Sequence, residues 1–191
     1  MKNMRTSKIA LFIVAVFACA MFHARAQDTN PPLTDFQNFI QQRNTVIVRG
    51  FTVVGSVSLG SATVSVNAQE GNDISHGQKK YAVFVVLSDV DQEGRRYVLS
   101  QVIDYDELDS LAGAMDYIGK VTSDASQLNG FEASYATKSG FRIISHSDRK
   151  QGTVNLSIQF SGYPRIAVSS DQLNQIRSLI VQAKSTLVSI K

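Results

Sequence analysis

Residues 104–118, DYDELDSLAGAMDYI, and residues 169–183, SSDQLNQIRSLIVQA, share one pattern at a distance of 65 positions. Asp104 aligns with Ser169, Asp106 with Asp171 and Glu107 with Gln172. Leu108, Leu111, Met115 and Ile118 align with Leu173, Ile176, Ile180 and Ala183, at offsets of 0, 3, 7 and 10, and Leu187 extends the second stripe. That spacing places four apolar side chains on one helical face, and an Asp or Ser three residues before Glu or Gln is a helix-start signature. A start signal, an acidic first turn and the same stripe recurring together point to a duplicated unit ending in an amphipathic helix.

Upstream of each helix the period changes from 3.6 to two. Val46 and Val48 alternate with Ile47 and Arg49; Phe51, Val53 and Val57 are read as sharing a face; Ala62, Val64 and Val66 alternate with Thr63, Ser65 and Asn67. Glu70 to Lys80 reads as a polar loop. Ala82 to Leu87 is a continuous apolar run, expected of a central strand covered on both faces, and Tyr97 to Ile103 returns after the turn at Asp89 to Arg95. In the second half Phe131, Ala133 and Tyr135 alternate, then Phe141 and Ile143, then Val154, Leu156, Ile158 and Phe160. The expected fold is α+β: antiparallel sheets from two β-β-β-β-α units, each with an amphipathic helix covering one sheet face. Thr34 and Gln37 form a capping-box pattern, so a short N-terminal helix carrying Phe36, Phe39 and Ile40 is expected to run to about Arg43.

Residues 1–26 read as a secretory signal peptide: Lys2, Arg5 and Lys8, an apolar run from Ile9 to Phe22, and a small-x-small site at Ala24-Arg25-Ala26 before Gln27. The run is shorter than the roughly 18 apolar residues of a membrane span. Acylation at Cys19 is disfavoured by the bulky Phe17 two residues before it. The expected organisation is a signal peptide over 1–26, a tether and short helix over 27–44, and one domain over 45–191 made of pseudo-repeats 45–124 and 130–191.

The leader holds four of the 19 basic residues and none of the 16 acidic ones, so the rest of the chain carries 15 against 16, a net charge of −1. The only cysteine, Cys19, also lies there. Neither a disulfide nor a thiolate metal site is then expected, and the basic balance of the whole chain is no nucleic-acid footprint. Charge is uneven: residues 27–130 hold 7 basic and 13 acidic residues, residues 131–191 hold 8 and 3. The halves therefore either attract each other, within a molecule or between two, or present differently solvated faces.

Over Phe51 to Ile190 the order of elements resembles the Whirly-type fold and its relatives with paired four-strand-plus-helix units. The resemblance is one of topology, without a shared residue motif. It implies a single-stranded nucleic-acid surface pairing basic residues with aromatic platforms; Arg142, Arg149, Lys150 and Arg165, with Phe131, Tyr135 and Phe141, are the residues that would form it.

Other constellations have simpler readings. Asp89-Val90-Asp91-Gln92-Glu93-Gly94 matches the opening of a calcium loop, but Ser100 stands where the closing Glu belongs and strands flank it. In Ser145-His146-Ser147-Asp148 the period of a strand sends Ser145 and His146 to opposite faces, against a hydrolytic triad. His76 and His146 make no zinc signature, and Asp104, Asp106, Glu107 and Asp109 read as helix capping and dipole compensation. The functional expectation is an exported, non-enzymatic protein without cofactor, periplasmic or secreted, acting by binding or assembly with a protein or envelope partner or as a homo-oligomer. A nucleic-acid module and an enzyme lacking a recognisable motif are the alternatives.

Overall fold

The computed structural model describes residues 31–90, 93–148 and 152–191. Helix α1 spans Asp35–Ile40 and has the expected capping box: the Thr34 hydroxyl accepts from Gln37 N, and the Gln37 side chain accepts from Thr34 N. Four strands follow, β1 (Ile47–Leu59), β2 (Ala62–Asp73), β3 (Gln78–Val90) and β4 (Arg96–Asp104). After a 3-10 turn at Tyr105–Glu107 comes helix α2 (Leu108–Gly119). The second unit repeats the order with β5 (Gly130–Ala136), β6 (Arg142–Asp148), β7 (Thr153–Gln159), β8 (Ile166–Val168) and helix α3 (Ser170–Ile190). Each set of four strands forms an antiparallel meander, β1-β2-β3-β4 and β5-β6-β7-β8.

The helices are exchanged. Helix α2, which follows the first sheet, packs against β5 and β6 of the second; α3, which follows the second sheet, packs against β1, β2 and β3 of the first. The two helices also pack on each other, with Arg177 Nε donating to the Ala112 carbonyl at 3.0 Å. Every stripe residue expected from the spacing is buried: Leu108, Leu111, Met115 and Ile118 on α2, and Leu173, Ile176, Ile180, Ala183 and Leu187 on α3. They join Val64, Val66, Val83, Val85, Leu87 and Ile103 of the first sheet and Ile143 and Ile158 of the second in one core. Residues Pro31–Lys191 accordingly form a single compact unit. The closeness of this packing shows at Gly55 on β1, where a Cβ would stand 2.6 Å from Leu179 Cδ2 of α3.

The opposite charges of the halves meet across this joint. Lys138, in the turn between β5 and β6, lies 3.3 Å from Asp106 and 3.5 Å from Asp104, and Lys184 of α3 pairs with Asp109 of α2. Burial opposes the Lys138 ammonium, yet the hydrogen bond it donates to Asp106 and the charges of Asp106, Asp104 and Glu107 outweigh it and raise its pKa above the ordinary lysine value. The acidic residues around the start of α2 thus serve other elements. Neither Asp104 nor Glu107 caps the turn or helix that follows it. The Asp104 carboxylate instead accepts from the backbone N–H groups of Asp35 and Phe36, both at 2.9 Å, and ties α1 to the end of β4. Glu107 accepts from Lys138 N at 2.9 Å.

Two strand readings change. The loop expected over Glu70 to Lys80 is mostly sheet, because β2 runs to Asp73 and β3 starts at Gln78. In β1 the register shifts between Val53 and Gly55, so Phe51 and Val53 do not share a face with Val57. An extra residue in a strand reverses its face assignment. Val57 and Leu59 turn into the core while Phe51 and Val53 turn out to solvent.

Because each sheet is covered by the other unit's helix, Met115→Ala and Ile176→Ala should destabilise the same folding unit. Each is expected to cost about 2–4 kcal/mol in denaturant titrations followed by circular dichroism, with a single transition in both. Two separated transitions would show that the halves fold independently.

Candidate functional site

Opposite the core, the first sheet presents an outer face whose composition follows from the register. Across the four strands run the rows Phe51, Gln69, Ala82, Asp104; Val53, Asn67, Phe84, Val102; Ser56, Ser65, Val86, Ser100; and Ser58, Thr63, Ser88, Val98. Helix α1 closes only one corner. Phe36 packs on Ala82 and Val102 and meets the Phe84 ring edge-on at 5.8 Å between centroids, and Phe39 rests on Gly71, where a Cβ would lie 3.1 Å from its ring. The expectation that Ala82 to Leu87 is covered on both faces therefore holds only at Ala82; Phe84 and Val86 are half-buried. The remainder is open, with Phe51 71%, Val53 64% and Val98 69% exposed among serine and threonine hydroxyls. Asn67 Oδ1 is buried there without a partner. At the far end a cleft of about 320 Å³ is lined by Thr63, Ser88, Arg96, Tyr97 and Val98.

A second cleft, of about 360 Å³, lies where α1, β3 and the end of α3 converge. Lys79, Lys80 and Lys191 line it with Tyr81 and Tyr105, opposite Asp35, Asp104 and Asp106. Lys191 Nζ stands 4.4 Å from the Tyr105 ring centroid, and Lys79 is neutralised by Glu70 at 3.0 Å. Its charges are largely satisfied within the protein.

The residues singled out from the sequence are distributed as follows. Arg142 begins β6, and its Nη2 donates to Ser134 on β5 at 3.5 Å; Arg165, just before β8, pairs with Glu132 of β5 at 3.0 Å. Arg149 and Lys150 lie outside the described residues. Phe131 and Tyr135 align with Ser147 and Ile143 on the core side of the second sheet, and Phe141 is buried against Phe160 at 5.3 Å between ring centroids. Arg142 and Glu132 belong to the opposite face, so the register separates these aromatics from the described basic residues. Ser145 faces inward and is fully buried, while His146 faces outward beside Glu132 and Asn155. Asp91 and Gln92 of the calcium-like turn lie outside the described residues; Asp89 accepts from Tyr163 Oη at 2.7 Å. Among the described residues no three His, Cys, Asp or Glu side chains come together as a metal site, and no helix is long and apolar enough to cross a membrane.

His76 has a structural partner. Asp73, at the end of β2 and 2% exposed, accepts from Thr45 Oγ1 at 2.7 Å, Ser75 N at 2.9 Å, His76 N at 3.2 Å and His76 Nδ1 at 2.7 Å. Burial alone would raise its pKa, but these bonds outweigh burial and hold it at about 2, below the ordinary 3.8. A depressed carboxylate stabilises the fold above its unfolded value and stops doing so as pH falls through the folded one. Asp73→Asn should therefore lower the melting temperature at neutral pH. The parent should lose more melting temperature than the variant between pH 4 and pH 2; parallel decline in the two would contradict the assignment.

The face built by Phe51, Val53, Val86 and Val98 was hidden from sequence reading by the β1 irregularity, and the Lys191–Tyr105 cleft by its assembly from distant segments. Chemically the open face offers apolar contact and neutral hydroxyls, a surface suited to binding. Comparison of the chain with protein-family models, curated proteins and solved structures finds no match.

Proposed function

We propose that this chain is an exported, non-enzymatic protein that acts by binding or assembly, in the periplasm or outside the cell, through the outer face of its first sheet. The observation that carries the reading is the exposure of Phe51, Val53 and Val98 on a sheet face that α1 covers at one corner only. Phe51 and Val53 adjoin on one edge strand and Val98 stands on the other, and exposed apolar side chains grouped on one face mark an interaction site more often than singly scattered ones do. The partner is accordingly a surface of low charge, matched to apolar patches interleaved with Ser56, Ser65, Ser88 and Ser100. The basic, apolar and small-x-small segments of residues 1–26 support export of the chain.

Fractionation of cells expressing the full sequence is expected to place the chain outside the cytoplasm with Gln27 as its first residue by mass spectrometry. A cytoplasmic chain retaining Met1 would refute export. For the face, Val86→Glu combined with Val98→Glu adds two carboxylates without touching the core cluster. The variant should keep its circular dichroism, lose some melting temperature because Val86 is half-buried, and lose the envelope components that co-purify with the parent. Unchanged co-purification would refute the face as the binding surface.

A further inference from the structure

Strand β1 is an edge of its sheet: among the described residues β2 is the one strand hydrogen-bonded to it. Ile74 N donates to the Val46 carbonyl at 3.3 Å. Backbone direction alternates along a strand, so Val46, Val48, Gly50 and Thr52 direct their backbone groups to β2, and Ile47, Arg49, Phe51 and Val53 direct theirs outward. This edge is apolar on both faces. Phe51 and Val53 stand exposed on the outer face, and Val46 and Val48, 60% and 50% exposed, stand on the core side. The core side is bare here because α3 crosses the sheet diagonally. Its start touches the end of β1, where Gln172 Nε2 donates to Ser58 O; Leu179 then rests on Gly55, and the Ile190 carbonyl accepts from Tyr81 on β3.

Exposed sheet edges are ordinarily protected by charges, prolines or cover. The one charge in Ile47–Leu59 is Arg49, and it is drawn inward: its Nη2 donates to Gln69 Oε1 at 2.9 Å and its guanidinium lies 5.9 Å from the Phe84 ring centroid. The irregularity between Val53 and Gly55 interrupts the edge further along, which leaves residues 47–53 as the regular, unguarded stretch.

We propose that the Ile47–Val53 edge pairs with the same edge of a second copy, antiparallel about a two-fold axis at Gly50, joining the two first sheets into one of eight strands. In this register Ile47 stands opposite Val53 of the second copy and Arg49 opposite Phe51, all with outward backbone groups, so each copy supplies the donors and acceptors that the other needs. No like charges face each other, and the aliphatic stem of Arg49, whose guanidinium is held by Gln69, lies beside Phe51 of the second copy. Val48 stands opposite Thr52, and Val46 opposite position 54, beside the Leu179 that covers Gly55 in the second copy. The core-side valines that α3 leaves bare in one molecule thus come next to α3 of the other. Such an isologous contact closes after two copies.

This inference rests on the binding-or-assembly reading and names one partner for it. The purified chain is expected to show twice its monomer mass by light scattering at tens of micromolar. Phe51→Lys combined with Val53→Lys should give a monomer with unchanged circular dichroism. In a Cys19→Ser background, Gly50→Cys should form a disulfide-linked dimer on mild oxidation about tenfold faster than Ser58→Cys, since directly paired strand residues come within disulfide reach. A Cβ at Gly50 meets nothing within 4 Å, so that variant should fold. A monomer at all concentrations, a dimer that survives both lysines, or cross-linking at Ser58 as fast as at Gly50 would each overturn the proposal. A monomer that still loses its partners through Val86→Glu and Val98→Glu would overturn the dimer and leave the binding face standing.

Discussion

Everything in this structure depends on the exchange of the two long helices. An antiparallel sheet with one apolar face is not stable until that face is covered, and here each sheet is covered by the helix belonging to the other unit. Leu173, Ile176 and Ile180 of α3 and Val64, Val66 and Val85 of the first sheet therefore share a core with Leu111 and Met115 of α2. Splitting the chain between the units would leave two bare sheets and two bare helices. The exchange turns a repeated sequence pattern into one compact body.

The charge distribution follows from the same arrangement. A chain whose first part is acidic and second part basic brings the two signs together where the units interlock, with Lys138 among Asp104, Asp106 and Glu107 and Lys184 on Asp109. Exposed pairs of this kind contribute little individually. The Asp104 carboxylate does more, because it is buried and accepts two backbone N–H groups that begin α1. Through it the short helix is held over Ala82 and Val102, and the open area of the outer face is set by where α1 stops.

That open area and the edge beside it share a local cause. The irregularity at positions 53–55 divides β1 into a distal half that packs under α3 and a proximal half that does not. On the distal half Val57 and Leu59 are buried; on the proximal half Phe51 and Val53 face solvent and the backbone of every second residue is free of β2. An alternating strand of this length, without the shift, would have placed Phe51 and Val53 in line with the core. The binding face and the dimer edge we infer are thus two aspects of one displaced residue.

The sequence by itself determined the α+β class, the repeated order of four strands and a helix, the capping boxes at Thr34–Gln37 and Ser169–Gln172 and all nine stripe residues, because these arise from interactions among residues three or four apart along a helix or alternating along a strand. It also showed the charge imbalance between the halves. Only the tertiary structure decided that the helices are exchanged, that Asp104 serves α1 instead of its own helix, that Phe51 and Val53 face outward and that Arg142 and Arg165 lie away from Phe131, Tyr135 and Phe141. Each of these depends on which surface an element meets after the chain has turned, or on one inserted residue that reverses a strand. Local periodicity specifies that a face must be buried; the partner that buries it is set by packing between segments far apart in the chain.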